Sequence, residues 1–183
     1  TLAVICAIAC GGWLLLAAAI PLGRWRARRR AFEPASETIG DWVVNEVVYQ
    51  SRAWTDLGID LEIGFNLSPR QFWQPDLAAK ILTQISGGGV DPTKIVVEVT
   101  ESSALIDPDR AQEILWELHR GGLRVAIDDF GTGYSSLSRL RSVPIDQLKI
   151  DRSFVSGVDQ DPQAASIVTA FIELAVGLGM TTL

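Results

Sequence analysis

Residues 128–155 read DDFGTGYSSLSRLRSVPIDQLKIDRSFV and carry the strongest structural signal in the chain. The apolar, β-branched segment LRVAI at 123–127 leads into this stretch and is typical of a buried strand. A second such segment, QLKI at 147–150, lies within it, and the pattern of Ser135–Arg141 between the two indicates a short helix. The charged residues at the two strand ends are Asp128, Asp129, Lys149 and Asp151. The stretch therefore predicts a strand, a helix and a second strand, with charged side chains where each strand ends.

The same alternation of strands and helices extends over the chain from about residue 32. Amphipathic spacing, Asp-Pro caps and glycine stops predict helices at 41–57, 76–85, 108–120 and 162–177. Apolar segments predict strands at 61–65, 94–100, 123–127, 147–150 and 180–183. Strands separated by single helices imply right-handed βαβ units and a parallel sheet. Four such units without a glycine-rich dinucleotide loop favour an α/β fold, an incomplete TIM-type (β/α) barrel, over a doubly wound sheet.

Polar residues follow four successive predicted strands, at the edge where a barrel carries its active site. They are Asn66, Ser68, Glu98, Thr100, Glu101, Asp128, Asp129, Lys149 and Asp151. Alternate side chains of a strand share a face, so Lys149 points to the same side as Asp151. Any one of these acids alone is more simply explained as a helix cap or a surface charge. Their recurrence at four strand ends favours a shared site.

The Asp pair needs a turn if both carboxylates are to reach that site. Asp128 and Asp129 would point apart in a continuous strand. The glycines of FGTG at 130–133 allow the backbone to turn directly after the pair, so that both side chains can face the same way.

The donor types at these strand ends indicate a divalent cation. One amide oxygen and several carboxylates, without a thiolate or a catalytic histidine, form a hard oxygen set that suits Mg²⁺ or Mn²⁺ and disfavours zinc or copper. Carboxylates that share a site repel one another, and a pair of divalent cations relieves that repulsion. A lysine beside such a site can position a water molecule or stabilise developing charge.

The charge of the chain is unevenly distributed. The net charge is −6, and the first thirty residues contain five arginines and no acid, which leaves −11 (−6 minus +5) on the remainder. An acidic body disfavours binding to DNA or RNA, which requires a basic surface. The two cysteines, Cys6 and Cys10, offer neither a disulfide framework nor a zinc spacing.

The first residues have the composition of a membrane anchor. Residues 1–23 contain no charged side chain, and the arginine-rich segment 24–31 follows at once. Roughly twenty apolar residues span a bilayer as a helix, and a basic flank marks the cytoplasmic side. We therefore expect a transmembrane helix in the bacterial inner membrane, with the body in the cytoplasm. A signal peptide fits less well, because no basic region precedes the apolar one. The remaining alternative is a misread start, since the chain opens at Thr1.

Four ordered motifs resemble those of EAL domains, the cyclic di-GMP phosphodiesterase family. They read FNLSPRQF at 65–72, EVTES at 98–102, DDFGTGYSSLSRL at 128–140 and VPIDQLKIDRSFV at 143–155. The resemblance covers about residues 32–183, and the run from 128 to 155 is specific by itself. It implies hydrolysis of one phosphodiester bond in cyclic di-GMP to linear pGpG by a two-metal mechanism, with two Mg²⁺ or Mn²⁺ ions per complete site.

The resemblance also implies a role for each matching residue. Asn66, Glu98 and Asp128 would be metal ligands, and Asp129 would serve the second metal and its water. Lys149 would contact the attacking water. Glu101 would steady the loop after the Asp pair, which is a structural task.

The sequence departs from the family pattern at two places. The Glu-Ala-Leu motif is absent, and its glutamate would fall on Ile20; the chain also stops before the family's later strand glutamate. A complete barrel has roughly 250 residues, and about 150 match here. We therefore expect a partial domain that is inactive alone and that associates through its open sheet, in the simplest case as a homodimer. The alternatives are a degenerate domain that acts as a cyclic di-GMP receptor or interaction module, and an erroneous junction between leader and body.

Overall fold

The computed structural model describes residues 39–101, 107–132 and 140–183. The chain divides into two compact units, 1–42 and 43–183, and only the beginning of one helix is described in the first. The predicted transmembrane helix at 1–23 and the basic segment at 24–31 lie outside the described residues, as does most of the predicted helix Ser135–Arg141. Within the three described stretches, no helix has the length and apolar character needed to cross a bilayer.

The helices and strands that the sequence predicts within the described residues are present in the predicted order, with one further short helix after the strand Gln147–Ile150. The helices are α1 (Ile39–Asp56), α2 (Leu77–Gly88), α3 (Pro108–Arg120), the short α4 (Arg152–Val155) and α5 (Pro162–Gly177). The strands are β1 (Ile63–Asn66), β2 (Ile95–Thr100), β3 (Arg124–Phe130), β4 (Gln147–Ile150) and β5 (Thr181–Thr182). Two short 3-10 turns, Gln71–Trp73 and Pro92–Lys94, complete the described elements.

The five strands form one parallel sheet in the order β1-β2-β3-β4-β5. Each strand pairs with the next one along the chain, which is the arrangement of a (β/α) barrel; a doubly wound sheet reverses its strand order at a switch point. The prediction of an α/β fold with a parallel sheet is therefore confirmed, and the strand order is consistent with an incomplete TIM-type barrel.

The two faces of the sheet differ in chemistry because side chains alternate along each strand. On β2, Ile95, Val97 and Val99 are fully buried in the core that the sheet forms with the helices. Leu115 and Leu118 of α3 are equally buried in that core. The opposite face of the sheet carries the polar side chains, so the site lies on the side away from the helices.

Two helices begin at the Asp-Pro pairs that the sequence indicates. Asp107 Oδ1 accepts a hydrogen bond from the backbone N–H of Arg110 at 3.2 Å, and Asp161 Oδ1 accepts one from Gln163 at 2.8 Å. Proline follows each aspartate, at a position where a missing N–H costs nothing. Each cap thus satisfies a backbone donor that the first helical turn leaves without a partner.

The predicted start of β1 and the predicted end of α2 are wrong. Strand β1 begins at Ile63, two residues after the predicted start, because its pairing with β2 begins at Ile63 and Ile95. The residues before Ile95 form the turn Pro92–Lys94 and offer no strand to Leu61. Helix α2 continues through Gly87 and Gly88, two of the three glycines that were predicted to end it, and Gly89, whose φ is +66°, caps it.

Candidate active site

Four of the predicted site residues come from four adjacent strands. Asn66 is the last residue of β1, Glu98 lies opposite it on β2, Asp128 lies on β3 and Lys149 on β4. The strands are parallel, so their carboxyl ends meet at one edge of the sheet. Their contacts place all four side chains on the same face.

Lys149 lies between two carboxylates at the centre of this group. Its Nζ is 2.8 Å from Glu98 Oε2 and 3.5 Å from Asp128 Oδ1. Asn66 donates a hydrogen bond from Nδ2 to the same Glu98 Oε2 at 3.3 Å. The side chains of Glu98 and Asp128 are 18% and 26% exposed, so the pair is partly screened from solvent yet open to a ligand.

These contacts alter the titration of Lys149. Burial alone would lower the pKa of its ammonium, but the hydrogen bond to Glu98 and the charges of Glu98 and Asp128 outweigh that effect. The pKa of Lys149 is therefore raised above its ordinary value. Lys149 is consequently charged at neutral pH and offsets part of the negative charge of the site.

Gly64 is a site residue that the sequence reasoning missed. A Cβ placed on Gly64 would lie 2.5 Å from Glu98 Oε1, so the absent side chain lets the Glu98 carboxylate lie across β1. Gly64 stands two residues before Asn66 and therefore on the same face of the strand. In the sequence, the one indication of this role is that a glycine stands two residues before the predicted ligand Asn66.

The backbone leaves the regular strand conformation at Asp129, one residue before the segment 130–133, and Gly131, with φ +100°, takes part in the turn that the sequence predicts there. Asp129 has φ +56°, and the pairing of β3 with β4 slips between Ile127 and Phe130 while the strand continues to Phe130. An irregularity of this kind redirects a side chain that regular alternation would send to the other face. The charges of Asp128 and Lys149 act on the Asp129 carboxyl, so this side chain lies near the site.

The neighbouring charges of the site shift the pKa of Asp129. Partial burial raises the pKa of Asp129, and the carboxylates of Asp128 and Asp151 raise it further against the opposing effect of Lys149. The pKa of this carboxyl therefore lies above its ordinary value.

Glu101 connects the end of β2 to the turn after the Asp pair. Its side chain is buried, at 3% exposure, and Oε2 accepts a hydrogen bond from the backbone N–H of Gly131 at 3.0 Å. Its own N–H donates to the carbonyl oxygen of Asp128 at 3.3 Å. Glu101 thus contacts the backbone at Asp128 and at Gly131, on both sides of Asp129.

Asp151 has a local structural task and does not join the four. Its Oδ1 accepts a hydrogen bond from the backbone N–H of Ser153 at 2.9 Å and another from the Ser153 hydroxyl, so it caps α4. These hydrogen bonds hold the pKa of Asp151 below its ordinary value, and the one from the Ser153 hydroxyl has the largest effect. Of the two residues predicted to share a face of β4, only Lys149 reaches the carboxylates of the neighbouring strands.

The donor chemistry of the site fits a hard divalent cation. Asn66, Glu98 and Asp128 supply amide and carboxylate oxygens, the ligands that Mg²⁺, Mn²⁺ and Ca²⁺ prefer. In the part of the chain that the structure describes, no three or more His, Cys, Asp or Glu side chains are grouped as metal ligands. The predicted ligand set has only two such side chains, Glu98 and Asp128, because its third member, Asn66, is an amide. Lys149 Nζ lies between the two carboxylates.

The sequence model of the EAL domain family matches residues 31–183. This chain belongs to the EAL domain family. It is 36% identical over 175 residues to the signaling protein YkoW of Bacillus subtilis, covering 93% of this chain and 22% of YkoW. It is 40% identical over 143 residues to the bifunctional diguanylate cyclase/cyclic di-GMP phosphodiesterase MucR of Pseudomonas aeruginosa, covering 78% of this chain and 21% of MucR. The chain thus spans about a fifth of the length of these relatives.

Solved EAL structures share the fold. The MucR phosphodiesterase in complex with c-di-GMP superposes with a TM-score of 0.74 at 36% identity, over 88% of this chain and 63% of that one. A manganese/c-di-GMP complex of Klebsiella pneumoniae BlrP1 superposes with a TM-score of 0.66 at 25% identity, over 88% of this chain and 40% of that one. Both carry the dinucleotide, and the second also carries manganese.

Proposed function

We propose that this chain provides the cation-dependent site of a phosphodiesterase that hydrolyses cyclic di-GMP to linear pGpG. The observation that supports it most is the convergence of Asn66, Glu98, Asp128 and Lys149 at the carboxyl edge of the sheet. Family membership adds the substrate, because relatives of the chain are named cyclic di-GMP phosphodiesterases. The receptor alternative rests on the absent Glu-Ala-Leu motif, and the described residues add no observation in its favour.

The oxygen ligands would hold two divalent cations, Mg²⁺ or Mn²⁺. Asn66, Glu98 and Asp128 would bind the first, and Asp129 would contribute to the second. Such cations, when bound, lower the pKa of a water molecule and offset the negative charge of a phosphodiester. The acidic body makes the second effect necessary, since three carboxylates and a phosphodiester anion repel one another without a cation.

Two side chains are suited to handling the attacking water. Lys149 carries a charged ammonium at the centre of the site and can donate a hydrogen bond that orients the water or stabilises charge on the phosphate oxygens. Asp129, which follows Asp128 directly, can accept the proton of that water at its carboxylate. Glu101 contributes by holding the turn that presents Asp128 and Asp129.

The proposal is tested by asking whether this segment supports turnover in a closed barrel. Residues 43–183, the second compact unit, replace the matching segment of the MucR phosphodiesterase, and pGpG formation is followed by chromatography in Mn²⁺. We expect turnover of about one per second or more. Glu98→Gln and Asp128→Asn in this chimera should each lower turnover about a hundredfold or more, since each removes charge from the site.

Lys94→Met is the matched control, because Lys94 also pairs with a carboxylate, Asp60 at 2.7 Å, but at the opposite end of β2. It should leave turnover unchanged. A folded chimera that keeps its turnover after Glu98→Gln contradicts the assignment. A folded chimera that binds cyclic di-GMP without cleaving it supports the receptor in place of the enzyme.

We also propose that residues 1–23 anchor the chain in the bacterial inner membrane with residues 32–183 in the cytoplasm. The support is the uncharged run and the arginines that follow it directly. A reporter enzyme fused after Leu183 should be active on the cytoplasmic side of the membrane fraction. Activity in the periplasm, or a fully soluble fusion, contradicts this topology.

A further inference from the structure

We infer that Lys149 and a divalent cation compete for the same carboxylate oxygens, so that the ammonium of this chain lowers the affinity of its own cation site. This inference rests on the proposed function, because it concerns the cation that Glu98 and Asp128 would hold. It goes further in giving Lys149 a second effect, on cation binding, in addition to its contact with water.

The competition follows from where Nζ lies. Lys149 Nζ is 2.8 Å from Glu98 Oε2 and 3.5 Å from Asp128 Oδ1. Mg²⁺ or Mn²⁺ binds carboxylate oxygens at about 2.0–2.2 Å. A cation bound by both Glu98 Oε2 and Asp128 Oδ1 would therefore come close to the position of Lys149 Nζ. Two positive centres cannot share that position, and Lys149 must leave Glu98 when the cation binds.

Asn66 strengthens the same conclusion. Glu98 Oε2 accepts hydrogen bonds from both Asn66 Nδ2 and Lys149 Nζ, so two nitrogen donors already satisfy this oxygen. An N–H donor cannot bind a metal, and Asn66 must turn its amide to present Oδ1 as a ligand. Cation binding therefore exchanges two existing hydrogen bonds for metal–oxygen bonds, and its affinity is reduced by what those hydrogen bonds contribute.

The direction of the effect is set by charge. Removing the ammonium leaves Glu98 and Asp128 without their positive partner and removes a repulsion between Lys149 and the incoming cation. We expect Lys149→Met to tighten the dissociation constant for Mn²⁺ about tenfold at neutral pH.

The test measures Mn²⁺ binding to the full 183-residue chain from the electron paramagnetic resonance signal of free Mn²⁺. Lys149→Met should bind about tenfold more tightly than the wild type, and Lys149→Arg, which keeps the charge, should tighten binding much less. Lys94→Met removes an ammonium from the Asp60 ion pair outside the site and should leave the affinity unchanged. Glu98→Gln should weaken binding, which confirms that the measured site is the intended one.

The results separate failure of the competition from failure of the site. If the wild type binds Mn²⁺, Glu98→Gln weakens it and Lys149→Met has equal or weaker affinity, the competition is overturned while the cation site stands. If neither the wild type nor Lys149→Met binds Mn²⁺ at millimolar concentration, both ideas are overturned. Should circular dichroism show Lys149→Met to be unfolded, Lys149→Gln, neutral but still able to donate to Glu98, takes its place with the same expected direction.

Discussion

Glu98 is the residue on which the site converges. It accepts hydrogen bonds from Asn66 and Lys149 through one oxygen, while the other lies against the backbone of Gly64. The sequence predicts its place at a strand end from alternation alone. Position 64 requires glycine because the Glu98 side chain extends over the neighbouring strand β1. The periodicity of a single strand does not predict such a contact between strands.

The turn after Asp128 and Asp129 depends on residues that have no predicted role in metal binding or catalysis. Gly131 has φ +100°, and its N–H is held by the buried Glu101. A Cβ on Gly131 would lie 2.7 Å from Phe154 Cε2 and 3.1 Å from Phe171 Cε2. The turn is therefore fixed both by a hydrogen bond to a charged group and by close packing against two aromatic rings.

Gly131→Ala should lower the free energy of unfolding more than Gly157→Ala does. Both glycines have positive φ, +100° and +82°, so both substitutions strain the backbone. Only Gly131 is also packed against side chains; nothing lies within 4 Å of a Cβ at Gly157. Urea unfolding of the purified chain should show an extra loss of about 1–3 kcal/mol at Gly131. Equal losses at the two positions would mean that the aromatic packing does not constrain the turn.

At the scale of secondary-structure elements, the interactions predicted best are local ones. Asp107 and Asp161 cap their helices through backbone groups two or three residues away, so the sequence contains the whole interaction. The end of α2 was predicted less well, since Gly88 belongs to the helix. A Cβ there would collide with Val48 of α1, so this glycine serves helix packing and does not end α2.

Contacts between elements support the loops around the site and were not predictable from pattern. Arg110 of α3 donates from Nε to the carbonyl of Phe72 and from Nη2 to that of Gln74 at 2.9 Å, which holds the loop after Asn66. Phe171 of α5 packs edge-on against Phe130 and Phe154, with ring centroids 5.1 and 5.3 Å away. These contacts join residues that are far apart in the chain. Neither secondary-structure propensity nor hydrophobic periodicity predicts them.

For the molecule as a whole, the parallel sheet separates two environments. Its helix side is apolar and its other side carries the site, a division that strand alternation predicts from the sequence. The same alternation could not predict that Lys149 lies between the two carboxylates, because that distance depends on the stagger of β2, β3 and β4. Association with a second copy through the sheet remains a prediction.

The most direct measurement is the position of Mn²⁺ in crystals of this chain, located by anomalous scattering. We predict a peak bound by carboxylate oxygens of Glu98 and Asp128 at about 2.0–2.2 Å. Glu98→Gln crystals grown in the same way should lose or weaken it. At saturating Mn²⁺, the absence of a peak at these two residues, or a peak confined to surface acids such as Asp60 and Asp91, would contradict the cation site on which the proposed function depends.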